Sequence, residues 1–223
     1  MRMPVPSPIA VPEPPPDLSP LEYVWPAGRE IHRCYNIHRG ARECFAGSAV
    51  VRGRFHPFTP PAATGPLPVL YGASDELGSL SETVFHDMPI RGAKVLPYSK
   101  LLHRALVRLR PARDLRLVDL TSDGLRRLGV SRLELIESDP RSYGDTAAWA
   151  RALYDHGARF DGMCWVSRQR DTSLAVVLFG DRVEAEALVV PDDSDATPLA
   201  VGVGLDLVCR IADRADISIV GIG

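Results

Sequence analysis

Apolar and polar positions along the chain alternate in short stretches, each bounded by proline, glycine or a polar turn. Alternating or continuous apolar stretches of this length are typical of strands. They predict strands at residues 30–35, 53–56, 69–73, 103–110, 115–120, 161–166, 174–179 and 185–190. Stretches with apolar residues three or four positions apart predict helices at residues 75–87, 121–128, 146–156 and 198–212.

Residues at the ends of these stretches support the predicted helix boundaries. Pro89 follows the first helix, Gly129 the second and Gly157 the third, and these residue types commonly end helices. Asp145 is placed to cap the third helix, and Pro198 suits the first turn of the fourth.

The order of the elements indicates the fold class. The turn at residues 111–114 lies between two alternating stretches and predicts a β-hairpin formed by residues 103–110 and 115–120. Strands and helices do not alternate regularly, and no segment repeats. The sequence therefore predicts an α+β fold, with a mixed β core and flanking helices, rather than a doubly wound parallel sheet.

Proline marks the beginning of the chain and one internal loop. Residues 1–20 hold eight of the 20 prolines, and proline fixes φ and removes an amide donor. We therefore predict a disordered or polyproline-like tail over residues 1–25 and a folded domain over residues 26–223. Such a tail could also bind a proline-recognising partner. Five prolines and one glycine in residues 57–68 predict an irregular loop, either a lid or a simple insertion.

The overall composition is that of an ordinary soluble domain. Apolar residues make up 45% of the chain, charged residues 24%, and the formal net charge is −2. This balance gives no general electrostatic attraction to nucleic acid or to an anionic membrane. Five arginines between residues 104 and 116 lack interleaved aromatic residues. We interpret them as a solvated strand face rather than a nucleic-acid patch.

Several kinds of site and targeting signal have no support in the sequence. The cysteines at 34, 44, 164 and 209 form no Cys-x-x-Cys pair, and the six histidines form no metal-spaced pair, so no metal site is predicted. Gly202 and Gly204 lack the third glycine and the preceding strand of a dinucleotide-binding loop. The pattern of a signal peptide is absent, and no apolar stretch is long enough to span a bilayer, which predicts a cytoplasmic protein.

Four short segments carry residue types that a chemical site would need. They are IHRCY at 31–35, GRF at 53–55, VLYGA at 69–73 leading to SETVFH at 81–86, and WVS at 165–167 before AVVLF at 175–179. In order and spacing they resemble the RES domain, a family named for an arginine, a glutamate and a serine. The family pattern combines an early strand arginine, a Gly-Arg-aromatic step, a strand tyrosine, a helical glutamate eleven residues later and a late serine at a strand end.

The match to this pattern can be followed residue by residue. Tyr71 and Glu82 are eleven residues apart, and Ser167 ends a predicted strand. Arg54 stands in the Gly-Arg-aromatic step, and Arg33 matches the earlier arginine. The resemblance extends from about residue 31 to residue 190. The loop between Arg54 and Tyr71 is longer and richer in proline than the family pattern, which leaves open whether Arg33 or Arg54 holds a pyrophosphate.

The resemblance implies a fold related to the ADP-ribosyltransferase toxins and an enzyme that cleaves the nicotinamide–ribose bond of NAD⁺ by hydrolysis or phosphorolysis. NAD⁺ would be the substrate, with no further cofactor. The family also implies the toxin of a toxin–antitoxin pair, a small helix-turn-helix antitoxin as partner, and a possible homodimer. The implied catalytic residues are Glu82, Arg54 and Ser167, and the implied NAD⁺-binding residues are Arg33, Tyr71 and Tyr35.

The chemistry of NAD⁺ suits these residue types. A pyrophosphate is well matched by the bidentate donors of arginine, and the cationic nicotinamide ring by an aromatic face such as that of Tyr71. Breaking the glycosidic bond develops positive charge on the ribose, which a carboxylate such as Glu82 stabilises. Ser167 would either bind the carboxamide or hold Glu82 in place.

Glu82 has two interpretations on the sequence alone. On the predicted helix it points away from the apolar stripe, as a solvated surface glutamate does. A cleft can also lie on the non-core side of a helix, and the resemblance favours that interpretation. His86, one turn later, is better explained as a helix-end residue that favours the helix dipole.

Two alternatives to an NAD⁺-cleaving enzyme remain at this stage. An ADP-ribosyltransferase would move the ADP-ribose to a protein target, and nicotinamide release without any labelled protein would argue against it. A non-catalytic interaction module that retains the fold would be marked by loss of the arginine, glutamate or serine.

Overall fold

The structure is a computed structural model that describes residues 9–47, 52–192 and 195–221. The strands are β1 (Glu22–Trp25), β2 (Ile31–Asn36), β3 (Val69–Ala73), β4 (Val95–Pro97), β5 (Arg104–Pro111), β6 (Leu115–Asp119), β7 (Gly162–Val166), β8 (Leu174–Phe179), β9 (Leu188–Val189), β10 (Thr197–Pro198) and β11 (Ser218–Val220). The α-helices are α1 (Glu76–Ser81), α2 (Ser122–Leu128), α3 (Arg132–Leu135), α4 (Tyr143–Asp155) and α5 (Gly202–Arg214). Short 3₁₀ helices occur at Tyr98–Lys100, Pro140–Ser142 and Ala185–Ala187. The predicted α+β class is confirmed.

One large mixed sheet forms the centre of the molecule. Its strands lie in the order β1-β6-β7-β8-β3-β2-β5-β10, and β9 also pairs with β5. Only the β6–β7 pair in this sheet is parallel among the described residues. β4 and β11 form a separate parallel pair. β3, β7 and β8 are therefore central strands, and their apolar side chains are buried on both faces.

Alternation along the strands separates two faces of this sheet. On β3, Val69 and Tyr71 belong to the core cluster that contains residues of α2, α3 and α4, whereas Leu70 belongs to a cluster on the other side. We call the first side the α4 face and the second the Leu70 face. On β2, Ile31 lies on the Leu70 face, so residues 33 and 35, two and four positions later, share that face.

The predicted hairpin is wrong, although its two strands are confirmed. β5 pairs with β2 over six residues and also with β9 and β10, whereas β6 pairs with β1 and β7. The segment before β2 separates them: Gly28 N donates to Pro111 O at 2.8 Å, and Ala27 N to Asp114 Oδ1 at 2.7 Å. Alternation in sequence predicts a strand but does not choose its partner.

The expected disorder of the proline-rich segment is wrong for residues 9–25. β1 pairs with β6, Val11 and Leu18 pack against the core of the α4 face, and Pro12 O accepts a hydrogen bond from Trp149 Nε1 at 2.6 Å. Proline has no amide donor to satisfy, so an extended proline-rich segment can lie on a surface without joining a sheet. Residues 1–8 of the predicted tail lie outside the described residues.

Several predicted boundaries also differ. The helix predicted at 75–87 ends at Ser81, with Glu82 as its C-cap. The helix predicted at 146–156 begins at Tyr143, which places Asp145 in its first turn instead of at the cap. The helix predicted at 198–212 begins at Gly202, because Pro198 belongs to β10. Residues 53–56 form a tight turn closed by the Gly53–His56 bridge, not a strand, and residues 185–187 form a 3₁₀ helix before β9.

Helix α2 and strands β3 and β8 agree closely with prediction. Gly129, in the left-handed conformation at φ 71°, ends α2 as expected. Within the described ranges, no helix has the length and apolar character needed to cross a membrane. The same residues contain no group of three or more His, Cys, Asp or Glu side chains arranged to hold a metal ion, and the four cysteines are free thiols.

Candidate active site

Glu82 lies at the end of α1, beside the turn that connects β7 to β8. One carboxylate oxygen, Oε1, accepts hydrogen bonds from Ser167 Oγ at 2.5 Å, from Arg168 N at 2.8 Å and from Gln169 N at 3.4 Å. No hydrogen bond to Oε2 occurs within the described part of the chain. The carboxylate is thus fixed through one oxygen, and the other has no hydrogen-bond partner among the described residues.

The direction of the Ser167 hydroxyl follows from its partners. Ser167 is fully buried, and its Oγ accepts hydrogen bonds from Gln169 N and Arg170 N, each at 3.1 Å. A serine oxygen has two lone pairs and one hydrogen. Because both lone pairs face amide donors, the hydrogen points to Glu82 Oε1. Ser167 therefore acts as a fixed donor to the carboxylate.

Close packing of α1 against the β7–β8 turn brings these groups together. Asp75 caps α1 by accepting a hydrogen bond from Gly78 N at 2.8 Å. A Cβ at Gly78 would lie 2.6 Å from Ser173 Cβ, closer than real side chains approach. Only glycine allows α1 to approach the turn this closely, and that approach places Glu82 beside Ser167.

Arg54 is buried near the same carboxylate. Its Nη1 donates to Ser138 Oγ at 2.8 Å, and its guanidinium lies 5.4 Å from the centre of the Tyr143 ring. Burial lowers the pKa of Arg54, whereas Tyr143 and Glu82 oppose that shift and the charge of Arg168 adds to it. Its Nη2 is buried without a hydrogen-bond partner in the described part of the molecule. Arg54 therefore carries a buried donor that the described residues do not satisfy.

Tyr71 completes the group on the α4 face. Its hydroxyl accepts a hydrogen bond from Phe55 N at 3.2 Å and lies 3.1 Å from His56 Nδ1. Burial raises the pKa of Tyr71 and lowers that of His56 to about 4, so both side chains are neutral near pH 7. The Tyr71 ring is half-buried and contacts Trp165 edge-on.

Arg33 and Tyr35 are not brought to this group. Both project from β2 on the Leu70 face, while Tyr71 projects on the α4 face. Arg33 Nη2 donates to Glu43 O at 2.6 Å, and Tyr35 is half-buried against the core of the Leu70 face. Burial lowers the pKa of Arg33 to about 10. Strand alternation is the physical reason for the separation.

Sequence reasoning missed several members of the site. Tyr143 and Ser138 surround Arg54 but come from a region without a distinctive motif. Arg168 and Gln169 contribute backbone amides, which no side-chain pattern reveals. The polar turn that follows β7 was the available signal, because amides at such turns commonly bind anions.

The fold and the site define an α+β protein whose Glu82 carboxylate is held by a serine hydroxyl and two backbone amides beside a mixed sheet. The sequence matches the family model of the RES domain over residues 30–201, more than half of the chain, and the protein therefore belongs to the RES domain family.

A solved structure supports the fold independently. A chain in the crystal structure of the M. tuberculosis MbcT–MbcA toxin–antitoxin complex is similar to this protein, with a TM-score of 0.56 and 17% sequence identity. The match covers 78% of this chain and 87% of that chain. At this identity the likeness concerns the fold. No curated protein matches the sequence at a significant level.

Proposed function

We propose that the protein is an NAD⁺-consuming enzyme that cleaves the nicotinamide–ribose bond by hydrolysis or phosphorolysis. The observation that carries the proposal is the Glu82 carboxylate, held through Oε1 with Oε2 left available. An orientation fixed before the substrate binds is what electrostatic stabilisation of a developing cation requires. Membership of the RES family agrees with this role.

In the proposed reaction, nicotinamide leaves with the electron pair of the bond to the ribose anomeric carbon. The ribose then carries oxocarbenium character, which Oε2 of Glu82 stabilises. Water or inorganic phosphate attacks that carbon and forms the new C–O bond. For water, Oε2 also accepts the proton that is released. Hydrolysis and phosphorolysis differ only in this nucleophile.

The other groups of the α4 face have supporting roles in the proposal. Ser167 is a positioning residue, because its hydrogen bond goes to Oε1 and not to the substrate. The unsatisfied Nη2 of Arg54 makes Arg54, rather than Arg33, our choice for a phosphate oxygen of the dinucleotide. The half-buried ring of Tyr71 is placed to contact nicotinamide. A role for Arg33 and Tyr35 in NAD⁺ binding stays a prediction.

We further infer that the protein is the toxin of a toxin–antitoxin pair. The support is its family and its likeness to a chain from a toxin–antitoxin complex. The expected partner is a small helix-turn-helix antitoxin that covers the active site. A homodimer stays a prediction from the family.

Replacement of Glu82 tests the proposed function. Purified wild-type protein, incubated with NAD⁺ with and without phosphate, is expected to release nicotinamide. Glu82→Gln is expected to reduce kcat by about 10³-fold, because a neutral amide cannot stabilise the cation. Ser167→Ala is expected to lower kcat by about tenfold with little change in KM, and to have no further effect in the Glu82→Gln background.

Glu76→Gln is the matched control, since Glu76 is an exposed glutamate in the same helix. It should leave both constants unchanged. The proposal is wrong if wild-type protein releases no nicotinamide under either condition, or if Glu82→Gln retains wild-type turnover. Nicotinamide release that depends on a protein acceptor, with label transferred to it, would show an ADP-ribosyltransferase instead.

A further inference from the structure

A groove lies beside the Glu82 site, between the segment that follows α1 and the C-terminal end of α5. Its volume is about 450 Å³, within the usual range of small-molecule sites. Phe85 and Met88 contribute apolar walls from one side, and Ile211 and Ile217 from the other. We call it the basic groove, because its charged lining residues are Lys94, Arg170 and Arg214.

The charges of the basic groove are not neutralised by its own lining. It has no lining carboxylate among the described residues. Lys94 Nζ donates to Ala215 O at 2.8 Å, which leaves its other hydrogens available. Arg214 is exposed and forms no ion pair or side-chain hydrogen bond with the described part of the chain. These cations suit an anionic ligand.

Acidic groups near the basic groove lie outside its lining. Asp75 acts electrostatically on Arg170, yet the Arg170 Nε remains buried without a hydrogen-bond partner. Asp213 and Asp216 line a separate pocket that shares only Ile217 with the groove. Glu82 and Asp87 are neighbours of lining residues but are likewise absent from the lining itself.

The basic groove borders the Glu82 site, although Glu82 is not among its lining residues. Gln169 lines the groove, and its backbone amide donates to Glu82 Oε1 at 3.4 Å. Its side chain donates to His86 O at 2.9 Å, which holds it against the segment after α1. Ser81 lines the groove directly before Glu82 in the chain. The groove therefore begins at residues that flank Glu82.

We propose that the basic groove binds the adenylate half of the dinucleotide whose nicotinamide half lies at Glu82. The proposal rests on the proposed function and adds the position of the remote half of the substrate. Arg214 and Arg170 would bind its phosphate, and the apolar walls would hold the purine ring. One ligand that combines a flat apolar base with a charged phosphate matches both kinds of lining.

Comparing NAD⁺ with nicotinamide mononucleotide, which lacks the adenylate half, tests this proposal. Arg214→Ala is expected to raise KM for NAD⁺ by about tenfold, and Arg214→Glu by more, because a charge-assisted hydrogen bond is lost and then replaced by repulsion. Neither variant should change kcat/KM for the mononucleotide. Arg210→Ala is the matched control: Arg210 is an exposed arginine one turn earlier in α5 that does not line the groove.

Binding of ADP to the full-length protein, measured by calorimetry, separates this proposal from the proposed function. Loss of ADP binding in Arg214→Glu supports the groove even if the wild-type protein proves unable to cleave NAD⁺. Active enzyme whose ADP affinity and KM for NAD⁺ do not change in Arg214→Glu would overturn the proposal. The proposal would also be overturned if Arg214→Glu changed only how the rate of mononucleotide cleavage depends on phosphate concentration. The groove would then bind inorganic phosphate and not the adenylate half.

Discussion

At the residue scale, the site depends on polar groups whose protonation or direction is set by burial. Ser167 donates to Glu82 because two backbone amides occupy its lone pairs. His56 and Tyr71 lie against each other in neutral forms, since burial disfavours the charged state of each. A buried neutral histidine at this position links the stability of the α4 face to pH.

Replacement of His56 should remove part of the pH dependence of stability. In the folded protein the pKa of His56 is about 4, below its ordinary value of 6.5. Between these values the unfolded chain binds a proton that the folded chain does not, so the free energy of unfolding falls as the pH falls from about 6.5 to 4. The loss attributable to His56 is at most roughly 3 kcal/mol.

Urea denaturation at several pH values, compared between wild type and His56→Gln, measures this effect. The variant should lose less stability between pH 7 and pH 4. It is not expected to be fully independent of pH, because burial also lowers the pKa of His32. Equal slopes in the two proteins would show that His56 is not the group responsible.

At the element scale, the site is formed where α1 meets the β7–β8 turn. α1 ends at Ser81, earlier than the apolar periodicity predicts, and Glu82 therefore caps the helix. The amides of Val84 and Phe85 both donate to Leu80 O, which tightens the chain beyond the helix end. β-branched Thr83 and Val84 also favour a helix less than unbranched residues do. The position of Glu82 thus depends on where the helix stops.

Gly78→Ala tests the contact between these two elements. The added methyl group would lie 2.6 Å from Ser173 Cβ, so α1 or the turn must move, at a cost of about 1–3 kcal/mol. The movement should also separate Glu82 from Ser167 and lower kcat. Gly144→Ala is the control, since a Cβ at this α4 position meets nothing within 4 Å, and it should be neutral or stabilising by up to about 1 kcal/mol. Similar unfolding curves for the two variants would contradict the proposed packing.

At the scale of the whole molecule, the segment before β1 covers part of the core. Val11 and Leu18 pack against the α4 face, and Pro12 O accepts the Trp149 hydrogen bond. Arg127 also donates to Ser19 O at 3.0 Å. This segment joins the proline-rich beginning of the chain to α2 and α4, so its contribution should appear in global stability.

Deletion of residues 1–18 should destabilise the protein. Trp149→Phe removes the hydrogen bond to Pro12, worth about 1 kcal/mol, and also leaves a gap because Trp149 is buried, so the free energy of unfolding should fall by more than about 1 kcal/mol. The deletion should lower it further, because the packing of Val11 and Leu18 is lost as well. In the deleted protein, Trp149→Phe should have little additional hydrogen-bonding effect. Thermal unfolding of the four proteins measures this cycle, and full additivity would indicate that the segment does not bind there.

Several elements of this structure are determined by local sequence features and do not depend on tertiary contacts. Short apolar stretches predicted β3 and β8, Gly129 predicted the end of α2, and the spacing of Tyr71 and Glu82 contributed to the family resemblance. These features depend on side-chain periodicity and backbone conformation, which act between near neighbours. Strand pairing depends on distant parts of the chain. β5 and β6 are close in sequence, yet β5 pairs with β2 and β6 pairs with β7.

Only the tertiary structure decided which candidate residues meet. Side chains alternate between the two faces along β2, which places Arg33 and Tyr35 on the Leu70 face, away from Tyr71. The turn after β7 brings three hydrogen-bond donors to Glu82. Two of these donors are backbone amides, which every non-proline residue possesses and which therefore leave no mark in a sequence. The sequence thus determined which side chains were available, and the packing of α1 on the turn determined which of them form the site.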